Sequence, residues 1–309
     1  MEKIEFRAMG SGMMAALDAD GPRAQEALSR VPDWFETWEQ HLSRFRPDSE
    51  LNDINSRSGE WVHVSPVLWD VLLAAQRAEH ISDGLVTPAL QDALIALGYD
   101  REFDLVATLG ADLQVAELEI APLPRMGLQL DRKKRRIWLP EGRRLDLGGI
   151  AKGWAADRAL RRLDPYGAGL VDAGGDVAAR QPVKEFPAWP VGITDPFEPE
   201  GTLALLALGN QAVATSGRDF HHWEQGGEAR HHILDPRTGL PAASRVLSAT
   251  VIAPTAVEAE VGAKCALILG ELEGLAWIND HPTMAGLQVL DDGTLLQSEA
   301  FEDYLWSNA

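Results

Sequence analysis

Cysteine is nearly missing from the chain: among 309 residues only Cys265 carries a thiol. One cysteine excludes an intrachain disulfide and a cysteine-built metal cage. It lies in the apolar run 263–269, which predicts a buried, inert thiol. Long apolar runs are missing too. No window holds roughly 18 apolar residues in a row, so no transmembrane helix is expected. The opening MEKIEFRAMGSGMM lacks the basic-then-apolar order of a signal peptide and has no cysteine for a lipid. Positive charge is scarce, with 28 Lys+Arg against 47 Asp+Glu and a net charge of −19. That balance argues against nonspecific binding to nucleic acid or an anionic membrane, since both need a basic face. A local basic pocket for phosphate remains compatible with it. These absences predict a soluble cytoplasmic protein, provided the numbering starts at the native first residue.

What the chain does contain is organised around residues 143–163, RRLDLGGIAKGWAADRALRRL. Ile137, Leu139, Leu145 and Leu147 alternate, which predicts a strand up to Gly148 and Gly149. Ile150, Ala151, Trp154, Ala155, Ala159, Leu160 and Leu163 then recur at helical spacing. A strand entering a helix through paired glycines is expected to leave free backbone N–H groups, a ready phosphate site. Lys152 falls in the first helical turn, where the macrodipole disfavours a cation unless it faces an anion. Asp146 is expected to contact a ligand from below. The alternative is that the glycines only allow close packing and Lys152 points to water.

The remaining pattern mixes strands and helices without repeats or linkers, which predicts an α+β protein: one domain or two intertwined lobes. Residues 3–8 read as a strand, followed by a turn at Met9 and Gly10 and a second apolar run to Leu17. Residues 24–42 read as one long amphipathic helix. A loop, SRFRPDSELNDIN, re-enters a short helix capped by Asp48 or Ser49. Residues 64–81 form a helix with Ser65 as cap and Pro66 at its first position. Residues 94–115 read as partly helical, and 126–138 as a hairpin with a basic tip.

Four of the eight histidines, His221, His222, His231 and His232, cluster before the turn Asp235–Gly239. Their spacing matches no zinc pattern. A single histidine acting as general base toward a hydroxyl, oriented by Asp235, suits the segment better. A hydrogen-bonded turn histidine is the alternative.

Met9-Gly10, SRFRPDSELNDIN, SDGLVTPAL, RRLDLGGIAKGWAAD, VDAGGDV, WPVGITDP, AVATSG, HHILDPRTG and VIAPTAVEAEVGAKCALILG occur in that order. This ordered set resembles the FAD:protein FMN transferase (ApbE-like) family, over nearly the whole chain. The resemblance implies an ApbE-like fold of mixed sheets flanked by helices, with residues 1–309 as a single transferase domain. It implies cleavage of FAD and transfer of FMN, through a phosphoester, to a Thr or Ser of an acceptor flavoprotein. A divalent metal, usually magnesium, assists in the family. By resemblance Asp146 and Lys152 contact FAD, and Met9, Phe45, Leu85, Val86 and Thr87 line its flavin or adenine side. Ile233 and Leu234 lie beside the dinucleotide, and His232 matches the family's histidine. Gly149 offers a carbonyl near the metal.

Two departures stand out. The family's metal-binding Asp and Thr, four residues apart on one helix face, match Glu260 and Lys264 here. A protonated lysine cannot ligate and repels magnesium. At i,i+4 spacing the two side chains are neighbours. If they pair, Glu260 is partly neutralised and the ammonium sits where the resemblance puts the metal. The alternative is that Lys264 swings to solvent while Glu260 binds magnesium with the Gly149 carbonyl. SDGLVTPAL also has Thr87 where an aspartate is expected and Ala89 after the proline. Two other functions therefore stay open at this point: an FAD-binding protein without catalysis, and a pyrophosphatase giving FMN and AMP.

Overall fold

The computed structural model describes residues 1–101, 103, 121–181, 187–219, 222–225 and 228–306. The elements run β1 (Glu2–Ala8), β2 (Ser11–Leu17), α1 (Pro22–Ser29), α2 (Val31–Leu42), α3 (Glu50–Ser56), β3 (Trp61–His63), α4 (Pro66–Ile81), α5 (Gln91–Ala96), β4 (Gln129–Asp131), β5 (Arg136–Trp138) and α6 (Ala151–Leu163). They continue β6 (Gly169–Ala173), β7 (Val177–Arg180), β8 (Trp189–Thr194), β9 (Thr202–Leu208), β10 (Ala212–Gly217), β11 (His222–Gln225), β12 (Glu228–His231), β13 (Leu234–Asp235), β14 (Leu240–Pro241), β15 (Val246–Ala253), α7 (Ala256–Leu269), α8 (Glu271–Asn279), β16 (Ala285–Leu290) and β17 (Leu295–Gln297).

The chain divides into two compact units, each assembled from separated segments. The first comprises Met1–Glu36, Lys152–Asp219 and Ser244–Ala309. Its core is an antiparallel sheet in the order β1-β2-β6-β7-β10-β15-β16-β17. Leu170, Val177, Val213, Ile252 and Leu287 from this sheet pack with Trp189, Leu206 and Phe301 into one apolar cluster. α7 is buried on nearly all sides, which its four alanines and Gly262 permit. Cys265 is buried within it, and burial pushes the thiol up to about 12, so it is inert as expected. The second unit comprises Thr37–Ala151 and Phe220–Ala243. It holds α3, α4 and the three-stranded sheet β3-β5-β4, which bury Leu51, Ile54, Leu68, Leu72 and Ile137.

Local signals place most boundaries. Ser49 caps α3 by accepting the Asn52 N–H at 3.1 Å, and Ser65 caps α4 by accepting that of Leu68 at 3.1 Å. The long helix expected over 24–42 is instead two helices broken at Arg30. Pro32 lacks an N–H and its ring crowds the carbonyl four residues back, so the helix must restart there. The strand expected over residues 143–147 does not form. Of residues 94–115, those at 102 and 104–115 lie outside the described residues.

Candidate functional site

In the second unit, residues 143–147 keep the predicted alternation of burial without a strand partner: Leu145 and Leu147 are buried, Arg144 exposed. A side chain takes the partner's place. Asn55 accepts the Leu145 N–H at 2.8 Å and donates to the Leu145 carbonyl at 2.8 Å, while Gln91 holds the same amide at 2.7 Å. Asp146 donates its N–H to the Pro88 carbonyl at 2.8 Å. Its carboxylate does not simply wait for a ligand from below. Oδ2 lies 2.5 Å from Nε of Arg44, and Oδ1 accepts the Gly148 N–H at 2.7 Å.

Arg44 is 4% exposed, packs over the rings of Phe45 and Tyr99 at 4.2 and 4.6 Å, and donates to the Tyr99 carbonyl at 2.7 Å. Sequence reading missed it. The only local signal was a guanidinium next to an aromatic in a polar loop, SRFR.

The free N–H groups expected at the double-glycine turn are also largely spent. Gly148 donates to Asp146, and Ile150 and Ala151 both donate to the Leu147 carbonyl, at 3.0 and 2.8 Å. Gly148 is required because a Cβ there would stand 2.9 Å from Asp146 Oδ1.

Around SDGLVTPAL, Leu85 is half-buried while Val86 and Thr87 are buried. The Thr87 hydroxyl donates to Glu79 Oε1 at 2.7 Å, and the same oxygen accepts the Met126 N–H at 2.7 Å. The Thr87 hydroxyl thus satisfies a buried carboxylate.

The histidine segment sorts by burial. His222 and His231 face each other in the β11–β12 pair, and His221 lies outside the described residues. His231 is buried, its Nε2 3.1 Å from the Ala242 carbonyl oxygen. His232 follows at the bend before β13 and is half-buried; Ile233 and Leu234 after it are buried. The Asp235 carboxylate accepts from Arg237, at 2.9 Å from both the backbone N–H and Nε.

In the first unit, Met9 sits at the β1–β2 turn with φ 48°, a left-handed conformation unusual for its side chain. Lys152 takes neither of the two courses open to it. Its Nζ pairs with Asp176 Oδ2 at 2.9 Å and donates to the Gly174 carbonyl at 3.4 Å. Burial draws this ammonium down, yet Asp176 and Glu260 outweigh that and push it up to about 12. Asp172, whose carboxylate accepts the Gly175 N–H at 2.8 Å, is raised by burial. Of the two arrangements open to them, Glu260 and Lys264 take the ion pair, at 2.8 Å. Burial raises the Glu260 carboxyl against the opposing pull of Lys264.

Asp157 joins α6 to α7. Its two oxygens accept the Ala256 and Val257 N–H groups at 2.9 and 3.3 Å, and Thr255 accepts that of Glu258. Burial raises Asp157 to about 6 despite those two donors. A folded pKa above the unfolded value of about 3.9 means stability from this group is full below pH ~4 and is lost as pH rises to ~6. Relative to Asp157→Asn, the unaltered protein should therefore lose stability across that window in denaturant melts. Asp157→Ala should cost about 1 kcal/mol at neutral pH by uncapping α7.

These residues do not suit magnesium. The ion wants near-octahedral oxygens at about 2.0–2.1 Å. Glu260 already gives Oε1 to Lys264 and Oε2 to the Gly153 N–H at 3.3 Å. Asp176 is engaged by a second ammonium. Among the described residues no group of three or more His, Cys, Asp or Glu is placed to hold a metal. The expected ligands Glu260 and Lys264 thus form an ion pair.

Comparison with known proteins places this arrangement. The ApbE family model matches residues 9–288. An FAD:protein FMN transferase of Treponema pallidum is 30% identical over 90% of this chain and 80% of its own length. One from Klebsiella pneumoniae is 28% identical over 88% and 85%. The crystal structure of the ApbE protein of Thermotoga maritima superposes with a TM-score of 0.87 at 26% identity, covering 99% of both chains. The flavin transferase ApbE of Vibrio cholerae, at 21% identity and a TM-score of 0.78, shares the fold. With its α+β architecture and the motif order running through both units, the chain belongs to the ApbE family.

Proposed function

We propose that this protein is an FAD:protein FMN transferase, with residues 1–309 acting as one transferase domain. The observation that carries the reading is the family match over 9–288, together with the 30% identity to a transferase across 90% of the chain. In the reaction, the hydroxyl of an acceptor Ser or Thr attacks the FMN phosphorus of FAD. The pyrophosphate bond breaks, AMP leaves, and the hydroxyl proton passes to His232. Lys152 holds pyrophosphate charge, and Asp146, fixed by Arg44, contacts the dinucleotide. Met9, Phe45, Leu85, Val86, Ile233 and Leu234 supply contacts around the flavin and adenine. A charged donor to a phosphate is worth about 1–3 kcal/mol, so Lys152→Ala should weaken FAD binding by that amount. Fluorescence titration checks this, with a melt to confirm the variant is folded.

One observation favours a second reading, an FAD-binding protein without transfer: Glu260 is neutralised by Lys264 rather than free for a cation. Co-expression with an acceptor bearing a Ser/Thr flavinylation site, followed by mass spectrometry, separates the possibilities. An acceptor heavier by one FMN supports the transferase. Free FMN with AMP marks a pyrophosphatase, and intact bound FAD marks a binder. The acidic net charge supports a protein partner over nucleic acid. No helix among the described residues is long and apolar enough to cross a membrane.

A further inference from the structure

The first unit sets two half-buried lysines, Lys152 and Lys264, against three carboxylates. Lys264 is one helical turn from Glu260, and their side chains are 17% and 3% exposed. Glu260 reaches across to the Gly153 N–H, the residue after Lys152. A Cβ at Gly153 would stand 2.9 Å from both the Ala256 carbonyl oxygen and Glu260 Oε2, so only glycine lets α6 and α7 approach this closely. Lys152 in turn holds Asp176, beside Asp172. A dication on Glu260 would have to displace Lys264 or lie against its charge, whereas the ammonium already satisfies the carboxylate.

We propose that Lys264 is a built-in cation that takes the place of a divalent metal, binding the FAD pyrophosphate together with Lys152 so that FAD is held without magnesium. This rests on the transferase reading, because FAD must be the ligand. An ammonium has three N–H donors, and Lys264 gives one of them to Glu260. Its side chain remains partly exposed, so the others can reach a phosphate oxygen. Lysine serves phosphate as a point charge, and Glu260 and Asp176 hold the two ammonium groups in place.

The test is FAD titration of the full chain, followed by flavin fluorescence, in excess chelator and then in excess magnesium. The dissociation constant should agree within about twofold between the two. Lys264→Met combined with Glu260→Gln removes both charges without leaving one buried alone. This variant should melt near the native chain, yet bind FAD about tenfold more weakly or worse in chelator. Glu260→Asp with Lys264→Thr should make binding depend on magnesium by about tenfold, and manganese(II) resonance should then detect a bound ion that the native chain lacks. Tenfold tighter binding of FAD by the native chain in magnesium would overturn the proposal. So would native affinity of the charge-free variant in chelator. Failure to bind FAD in both conditions would instead bring down the transferase reading, and this inference with it.

Discussion

His232→Ala should slow FMN transfer by about 10²–10⁴ while FAD still binds, the usual contribution of a positioned base. The two adjacent histidines are separated by their surroundings. His231 is buried with its Nε2 against the Ala242 carbonyl, which leaves that nitrogen no freedom to accept and release a substrate proton. His232 lies at the bend between two strands and is half-buried. Arg237 holds the Asp235 carboxylate. Single-turnover transfer measured by mass, alongside FAD titration, gives rate and affinity separately. His231→Ala is the control: it should lower the melting temperature more than the rate constant. Equal loss of affinity and rate in His232→Ala would make this residue structural.

Arg44→Ala should cost about 3–5 kcal/mol of stability, because it strands Asp146 in a nearly dry site. The pair is 4% and 11% exposed at 2.5 Å, so water offers little compensation. The guanidinium also fills the space over Phe45 and Tyr99 and satisfies the Tyr99 carbonyl. Arg44→Lys should recover only part of the loss, since an ammonium cannot both stack flat and bridge these acceptors. Arg44→Met with Asp146→Asn should recover more than Arg44→Lys, because no buried charge is left alone. Urea melts of the three variants decide this; a loss below about 1 kcal/mol for Arg44→Ala would show the pair to be solvent-screened.

Several features were legible in the sequence because their causes lie within a few residues. Ser49 and Ser65 cap their helices through the third residue onward, and Glu260 meets Lys264 because a helix returns to the same face after four residues. Burial alternation marked Leu145 and Leu147 as interior even though no strand forms there. The helix break at Pro32 was equally local, and the apolar periodicity running through it masked it. The order of motifs identified the family.

What only the tertiary structure decided was which partner each charged or polar group takes. Asp146 draws Arg44, Lys152 draws Asp176, Thr87 draws Glu79, and Leu145 bonds to Asn55 in place of a strand. Burying a charge or a backbone amide is costly unless it is satisfied, but that requirement names no partner. The partner is whichever complementary group the fold brings within about 3 Å, and in a chain that weaves between two units such groups come from segments far apart in sequence.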